Sequence, residues 1–82
     1  MSKDSFKIKV IDLIGEILEI EKEEIEEDAD FFIDFNLSSL EMTDLVLRLN
    51  QALKINLPQE EVEKIKTVGD LLNLIEVQSD EI

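Results

Sequence analysis

Ser39 is the side chain best placed for chemistry, because its neighbours predict that it opens a helix. Ser38 and Glu41 have the spacing of a capping box, in which the Ser38 hydroxyl accepts from the Glu41 amide and the Glu41 carboxylate accepts from the Ser38 amide. An apolar helical repeat starts at the same point, which puts Ser39 at the first helical position with its hydroxyl facing solvent. Free backbone amides and the positive helix end favour an anion there. Ser39 could therefore carry a phosphodiester at little cost.

The predicted helix has two apolar faces. Its core stripe consists of Met42, Leu45, Val46, Leu49 and Leu53. Leu40 and Leu47 lie about 150° from the centre of that stripe. They share an outward face with Thr43, Asp44 and Gln51. Scattered surface leucines are common, so the spacing alone leaves open whether this face is a docking surface or an ordinary exposed one.

The composition limits what the chain can do by itself. The 82 residues suffice for one small domain, and 44% of them are apolar, too many for a disordered acidic tail. There is no cysteine and no histidine, which removes disulfides, thiolate metal sites and the usual general base. We therefore predict no catalytic residues and no enzyme activity of its own.

The acidic residues between 21 and 28 are the one candidate for a metal site. They are Glu21, Glu23, Glu24, Glu26, Glu27 and Asp28. A calcium loop needs a glycine, and none lies among Asp28, Asp30 and Asp34. We predict a solvated acidic face and no metal site.

The net charge of −13 bounds the partners. It argues against binding to nucleic acid and to anionic membranes, and it favours proteins with basic patches. The alternative is that the charge serves solubility alone. No apolar run is long enough for a signal peptide or a membrane span, so we predict a cytoplasmic protein.

The apolar spacing predicts an all-α fold, a small four-helix bundle of three longer helices and one short one. The first helix should be capped by Asp4 or Ser5 and end near Leu18, with Gly15 opposite its apolar stripe. That stripe consists of Phe6, Val10, Leu13, Ile14 and Ile17.

A long first loop, residues 19–37, should be ordered and packed on the core. Its predicted anchors are Ile20, Ile25, Ala29, Phe31, Phe32 and Phe35, with at least one of the adjacent phenylalanines in the core.

The second half of the chain contains the central helix and two more. The central helix should run from Ser39 to about Lys54, and Pro58 should open the short third helix at its first position. The core contacts of that helix are Val62 and Ile65. Thr67 and Asp70 form a second capping box before a last helix from Val68 to about Val77. Its buried residues are Val68, Leu71, Leu72 and Ile75. Residues 1–82 then form a single domain, ordered over about 4–77, with loose termini.

From Phe6 to Ile75 the chain resembles the acyl carrier protein family. The segment 34–41, DFNLSSLE, resembles the attachment motif of that family, a short turn followed by Asp-Ser-Leu. The segments 55–58, INLP, and 67–70, TVGD, match two further signatures of the family in order and spacing. Any one of these is weak, whereas three at the right separations are strong.

The resemblance implies a 4′-phosphopantetheine arm on Ser39, installed from coenzyme A by a phosphopantetheinyl transferase. The arm would carry acyl groups as thioesters to acyl-transferring and acyl-modifying enzymes of fatty-acid, lipid or polyketide biosynthesis. Those enzymes would have basic docking patches, and the protein would act as a monomer. The predicted partner-binding residues are Leu40, Glu41, Thr43, Asp44 and Leu47.

The sequence also departs from the family pattern. Ser38 replaces the usual aspartate and Asn36 the usual glycine, although asparagine tolerates a positive φ. The later half of the helix, residues 48–52, is less acidic than in fatty-acid carriers, which favours a specialised pathway. The alternative hypothesis is an acidic helical adaptor that has no prosthetic group.

Overall fold

A computed structural model describes residues 3–78, and these fold as the predicted all-α bundle. The helices are α1 (Lys3–Leu18), α2 (Ser39–Leu53), α3 (Gln59–Val62) and α4 (Val68–Gln78). Three are long and one is short, as predicted. The predicted loose termini fall on residues 1–2 and 79–82, which lie outside the described residues, whereas Lys3 and Gln78 are both helical.

A single apolar core joins the helices to the first loop. Every predicted core residue of α4 and four of the five in the α2 stripe are buried, and Leu53 is half-buried. Val62 and Ile65 are also buried, although Ile65 lies beyond the end of α3. In the described range, none of the helices combines the length and apolar character that crossing a membrane requires.

The start and the glycine of α1 correct two predictions. The helix begins at Lys3, so Asp4 and Ser5 lie inside it and not at its cap.

Gly15 is buried, not on the far side of the helix. The chain leaves α1 through Glu19 at φ 59° and folds back, so that the Ile20 amide donates to the Gly15 carbonyl at 3.0 Å. A Cβ at Gly15 would lie 2.8 Å from the Ile20 carbonyl oxygen. Gly15 therefore permits a close approach of the backbone that the helical pattern did not reveal.

The first loop is ordered, as predicted, and it is tied to the start of α4. The Phe31 amide donates to the Lys66 carbonyl at 2.8 Å, and the Val68 amide donates to the Ala29 carbonyl at 3.0 Å. Gly69 approaches the same stretch, because its amide donates to the Glu27 carbonyl at 2.7 Å. A short 3₁₀ helix, Lys22–Glu24, was not predicted.

Of the predicted loop anchors, only Phe32 is wrong. Ile25 and Phe31 are buried, and Ile20, Ala29 and Phe35 are half-buried against the core. Phe32 is exposed, because it follows Phe31 in a tight turn that points the two rings differently.

The connection from α2 to α3 begins at about the predicted position and ends differently from expectation. Lys54 caps α2 in the left-handed region at φ 57°. Pro58 is the N-cap of α3 with extended ψ of 134°, one residue before the predicted position. The Asn50 side chain holds the connection, because its Oδ1 accepts from the amide of buried Leu57 at 3.3 Å.

The second capping box is confirmed and its carboxylate is perturbed. The Thr67 hydroxyl accepts from the Asp70 amide at 3.1 Å, and Asp70 Oδ2 accepts from the amides of Thr67 and Lys66, each at 3.1 Å. These amide donors, Thr67 first, hold the pKa of Asp70 below its ordinary value of 3.8, although slight burial opposes them.

Gly15→Ala should lower the melting temperature, although alanine is the better helix former by about 1 kcal/mol. The added methyl group would press on the Ile20 carbonyl oxygen, and overpacking of this kind costs about 1–3 kcal/mol. Thermal unfolding followed by circular dichroism measures the change. Glu16→Ala, at the next and exposed position, is the control and should change little. A higher melting temperature for Gly15→Ala would show that helix propensity outweighs the close approach.

Asp70→Asn should lower the melting temperature at pH 7 by about 2–4 °C, because the amide groups lose a charged acceptor. A carboxylate with a lowered folded-state pKa stabilises the fold above its ordinary pKa of 3.8, and that contribution is lost as pH falls through the lowered value. The difference between variant and wild type should therefore be constant from pH 7 to about 5 and shrink below 3.8. Asp28→Asn, at an exposed position, serves as the control. A difference that persisted at the lowest pH would exclude the charge as its cause.

Candidate functional site

The predicted capping box forms at the start of α2. The Ser38 hydroxyl accepts from the Glu41 amide at 3.1 Å, and Glu41 Oε1 accepts from the Ser38 amide at 2.8 Å. Ser38 has the extended backbone of an N-cap, and its carbonyl already accepts from the Met42 amide. The box therefore fixes where α2 begins, and Ser39 is its first residue.

Ser39 is exposed, in agreement with the predicted solvent-facing hydroxyl. Within the described range its side chain has no hydrogen-bond partner, so the hydroxyl is available to another molecule. The chain reaches it through Asn36, whose φ is 57°, the positive value expected where the family pattern has glycine. The next residue, Leu37, is half-buried and donates its amide to the Phe31 carbonyl at 3.0 Å. The segment before Ser39 is thus fixed by packing of Leu37 on the core and by a backbone hydrogen bond.

The outward face of α2 exposes two leucines, as its periodicity predicted. Leu40 is 79% exposed and Leu47 is 54% exposed, whereas the stripe on the other side of the helix is buried. The two leucines are one heptad apart on the solvent-exposed side of a helix whose other side is buried. Such a pair is consistent with a docking face.

The polar residues of this face are partly engaged. Thr43 donates its hydroxyl to the Ser39 carbonyl at 3.0 Å, within the helix. Asp44 Oδ2 accepts from Arg48 Nε at 2.9 Å, and both side chains remain more than half exposed. Sequence reasoning listed Asp44 as a partner-binding residue but missed its pairing with Arg48. The separation of four helical residues was the available signal.

A groove beside the leucines was not predicted. It encloses about 730 Å³ between the end of α1, the first loop and α2. Its lining joins predicted docking residues to residues distant in the sequence: Ile17, Leu18, Ile20, Phe35, Leu37, Leu40, Glu41, Thr43, Asp44 and Leu47. Because it is assembled from three segments, no single stretch of sequence could reveal it.

The acidic residues of the first loop form the solvated face that was predicted. All six between positions 21 and 28 are exposed. Asp30 and Asp34 have a structural use: Asp30 Oδ1 accepts from the amides of Phe32 and Ile33, and Asp34 Oδ2 accepts from the Asp30 amide. Across residues 3–78 no three acidic side chains are grouped so as to hold a metal ion.

Comparison with known proteins agrees with this geometry. Residues 9–75 match a family model described as the phosphopantetheine attachment site. An acyl carrier protein of Lactobacillus acidophilus is 35% identical over 92% of this chain and 94% of its own. Acyl carrier proteins of Clostridium acetobutylicum and Prochlorococcus marinus are each 36% identical, over 89% and 95% of this chain and 95% and 98% of their own.

The chain is therefore a member of the phosphopantetheine-attachment class. Within that class it belongs to the acyl carrier protein family, the proteins that carry acyl groups on a covalently attached 4′-phosphopantetheine. The residues present fit that group, since an exposed and unengaged serine hydroxyl lies at a helix start where the backbone favours an anion.

Ser38→Ala should lower the free energy of unfolding by about 1 kcal/mol, because the Glu41 amide loses its acceptor. Ser38→Asp should be close to wild type, since aspartate caps as well as serine. Urea unfolding measures both. Equal losses for the two variants would show that the hydroxyl is needed for a reason other than capping.

Proposed function

We propose that Ser39 is the attachment site of 4′-phosphopantetheine and that the outward face of α2 delivers the attached acyl groups to partner enzymes. The observation that supports this most directly is the exposed Ser39 hydroxyl, which has no partner among the described residues and lies at the first position of α2. Ser38 is less suited to be the attachment site, because its hydroxyl already accepts from the Glu41 amide.

In the attachment step, Ser39 Oγ attacks the phosphorus that links pantetheine to the rest of coenzyme A. A bond forms between Oγ and phosphorus, and the bond from that phosphorus to the bridging pyrophosphate oxygen breaks. Adenosine 3′,5′-bisphosphate leaves with the electron pair, and the serine proton passes to a base of the transferase. This chain presents the hydroxyl at the fixed start of α2, and the free backbone amides of that helix end favour the new phosphodiester. When bound, the arm supplies a thiol that carries acyl groups as thioesters.

Partner enzymes would dock on Leu40, Leu47 and the polar residues between them. The two exposed leucines would anchor the contact, and Glu41 and Asp44 would meet basic residues at its rim. The pathway would be fatty-acid biosynthesis or a related lipid or polyketide pathway. The chain would be a cytoplasmic monomer that catalyses no step itself, and its partners would not include nucleic acid or membranes.

Ser39→Ala should abolish attachment of the arm. Purified protein is incubated with coenzyme A and a broad-specificity phosphopantetheinyl transferase and weighed intact. The wild type should gain the mass of one arm, Ser39→Ala none, and Ser38→Ala the full mass more slowly.

An established acyl carrier protein in the same reaction controls for transferase activity. A mass gain by Ser39→Ala that Ser38→Ala lacks would assign the attachment site to Ser38. Wild type that stays unmodified beside a fully modified control would favour the adaptor without a prosthetic group.

A further inference from the structure

The docking face of α2 carries little of the charge of this chain. Only two of the 21 acidic residues, Glu41 and Asp44, lie on α2, and Arg48 offsets one of them. The exposed acids of the first loop, at positions 21–28, contribute far more. A chain of net charge −13 thus presents an almost neutral helix at its proposed interface.

Both acids of α2 are already engaged within the helix. Glu41 Oε1 accepts from the Ser38 amide at 2.8 Å, and Asp44 Oδ2 accepts from Arg48 Nε at 2.9 Å. The Arg48 side chain is nevertheless 61% exposed, and its bond to Asp44 uses only the inner nitrogen. The outer nitrogens of the guanidinium group therefore remain accessible as donors to an approaching molecule.

The charges follow a fixed order along the axis. Glu41 and Asp44 lie in the first two turns, followed by Arg48 and then exposed Lys54 at the C-cap. At 1.5 Å per residue, about 15 Å separates Asp44 from Lys54. Around the helix axis, Asp44 lies about 40° and Arg48 about 80° from Leu40. The exposed leucines therefore border these charges on the solvent side of α2. The face is therefore bipolar, negative near Ser39 and positive toward the other end.

We infer that the acyl-handling partners of this protein have a bipolar docking patch, and not a uniformly basic one. Such a patch places basic residues against Glu41 and Asp44, an apolar pocket around Leu40 and Leu47, and a carboxylate against Arg48. This inference rests on the proposed function and names the partner chemistry that its docking face selects.

The selection works mainly by exclusion. A patch that is basic along its whole length places a like charge against Arg48, and like-charge contacts at an interface suppress wrong partners more strongly than matched rim charges add affinity. The same order of charges also suits the helix dipole. That effect changes the stability of α2 and leaves the preference between two partner patches untouched, so the two explanations predict different results.

The test uses the phosphopantetheinylated protein as substrate of an acyl-transferring enzyme whose own structure shows a uniformly basic carrier-docking patch. Arg48→Glu should raise kcat/KM about tenfold, chiefly through a lower KM, as expected for reversing one interfacial charge. Lys64→Glu is the matched control: it changes the net charge equally, and Lys64 lies beyond α3, paired with Glu61 at 3.6 Å. It should change kcat/KM less than twofold.

A charge exchange in the enzyme makes the test specific to Arg48. Replacing the basic residue of the patch that faces position 48 by glutamate should raise kcat/KM for the wild type and lower it for Arg48→Glu. Equal effects of Arg48→Glu and Lys64→Glu, or no coupling between position 48 and the altered patch residue, would overturn the inference.

Two further measurements separate the possible failures. The unmodified chain and its Arg48→Glu variant are compared as competitive inhibitors of the same enzyme, so docking is measured even if Ser39 does not accept the arm. Arg48→Gln, which removes the charge without adding an acid beside Asp44, should lie between wild type and Arg48→Glu in the inhibition constant. An order of inhibition constants that follows melting temperature, and not charge at position 48, would assign the effect to helix stability and contradict the inference.

Discussion

Phe31 is the residue on which the geometry of the site depends. Its side chain is completely buried, and its two backbone groups connect different helices: its amide donates to the Lys66 carbonyl just before α4, and its carbonyl accepts from the Leu37 amide just before α2. Burial of a phenylalanine contributes about 1.5–3 kcal/mol, enough to hold a loop that lacks regular strands within the described range. Ser39 follows Leu37 by two residues, so the position of its hydroxyl is fixed by the core and not by the loop alone.

The two helices whose starts are linked through Phe31, α2 and α4, begin in the same way. A hydroxyl at the N-cap and a carboxylate three residues later satisfy each other's backbone amides, through Ser38 and Glu41 in α2 and through Thr67 and Asp70 in α4. The exchange of the usual aspartate for Ser38 is therefore compatible with the fold, since either residue can accept from the amide of Glu41. What the exchange alters is the charge beside Ser39.

Local patterns in the sequence predicted the parts of the structure that local energetics determine. The capping boxes, the buried stripes and exposed Leu40 follow from residue type and helical period. The positive φ of Asn36 was expected from the family pattern, which has glycine at that position. The wrong predictions concern residues whose burial depends on backbone from other parts of the fold. The helical period places Gly15 opposite the apolar stripe, and only the backbone of Ile20 folded over it explains why it is buried. Phe31 and Phe32 are equivalent by type, and they are distinguished by the turn and by the hydrogen bond from the Phe31 amide to the Lys66 carbonyl. The groove beside α2 needs three segments at once.

Charge in this protein acts at two ranges, and the structure separates them. The acids of the first loop are exposed and are not matched by an equal number of nearby basic residues. They therefore give a long-range negative field, although salt screens it over about 8–10 Å. At contact distance, a partner docked as proposed would meet α2, where Arg48 lies beside Asp44. A field of one sign cannot distinguish between two basic enzymes. A face with both signs and two exposed leucines can, because it has a direction along the helix axis and so a single register in which every charge is matched.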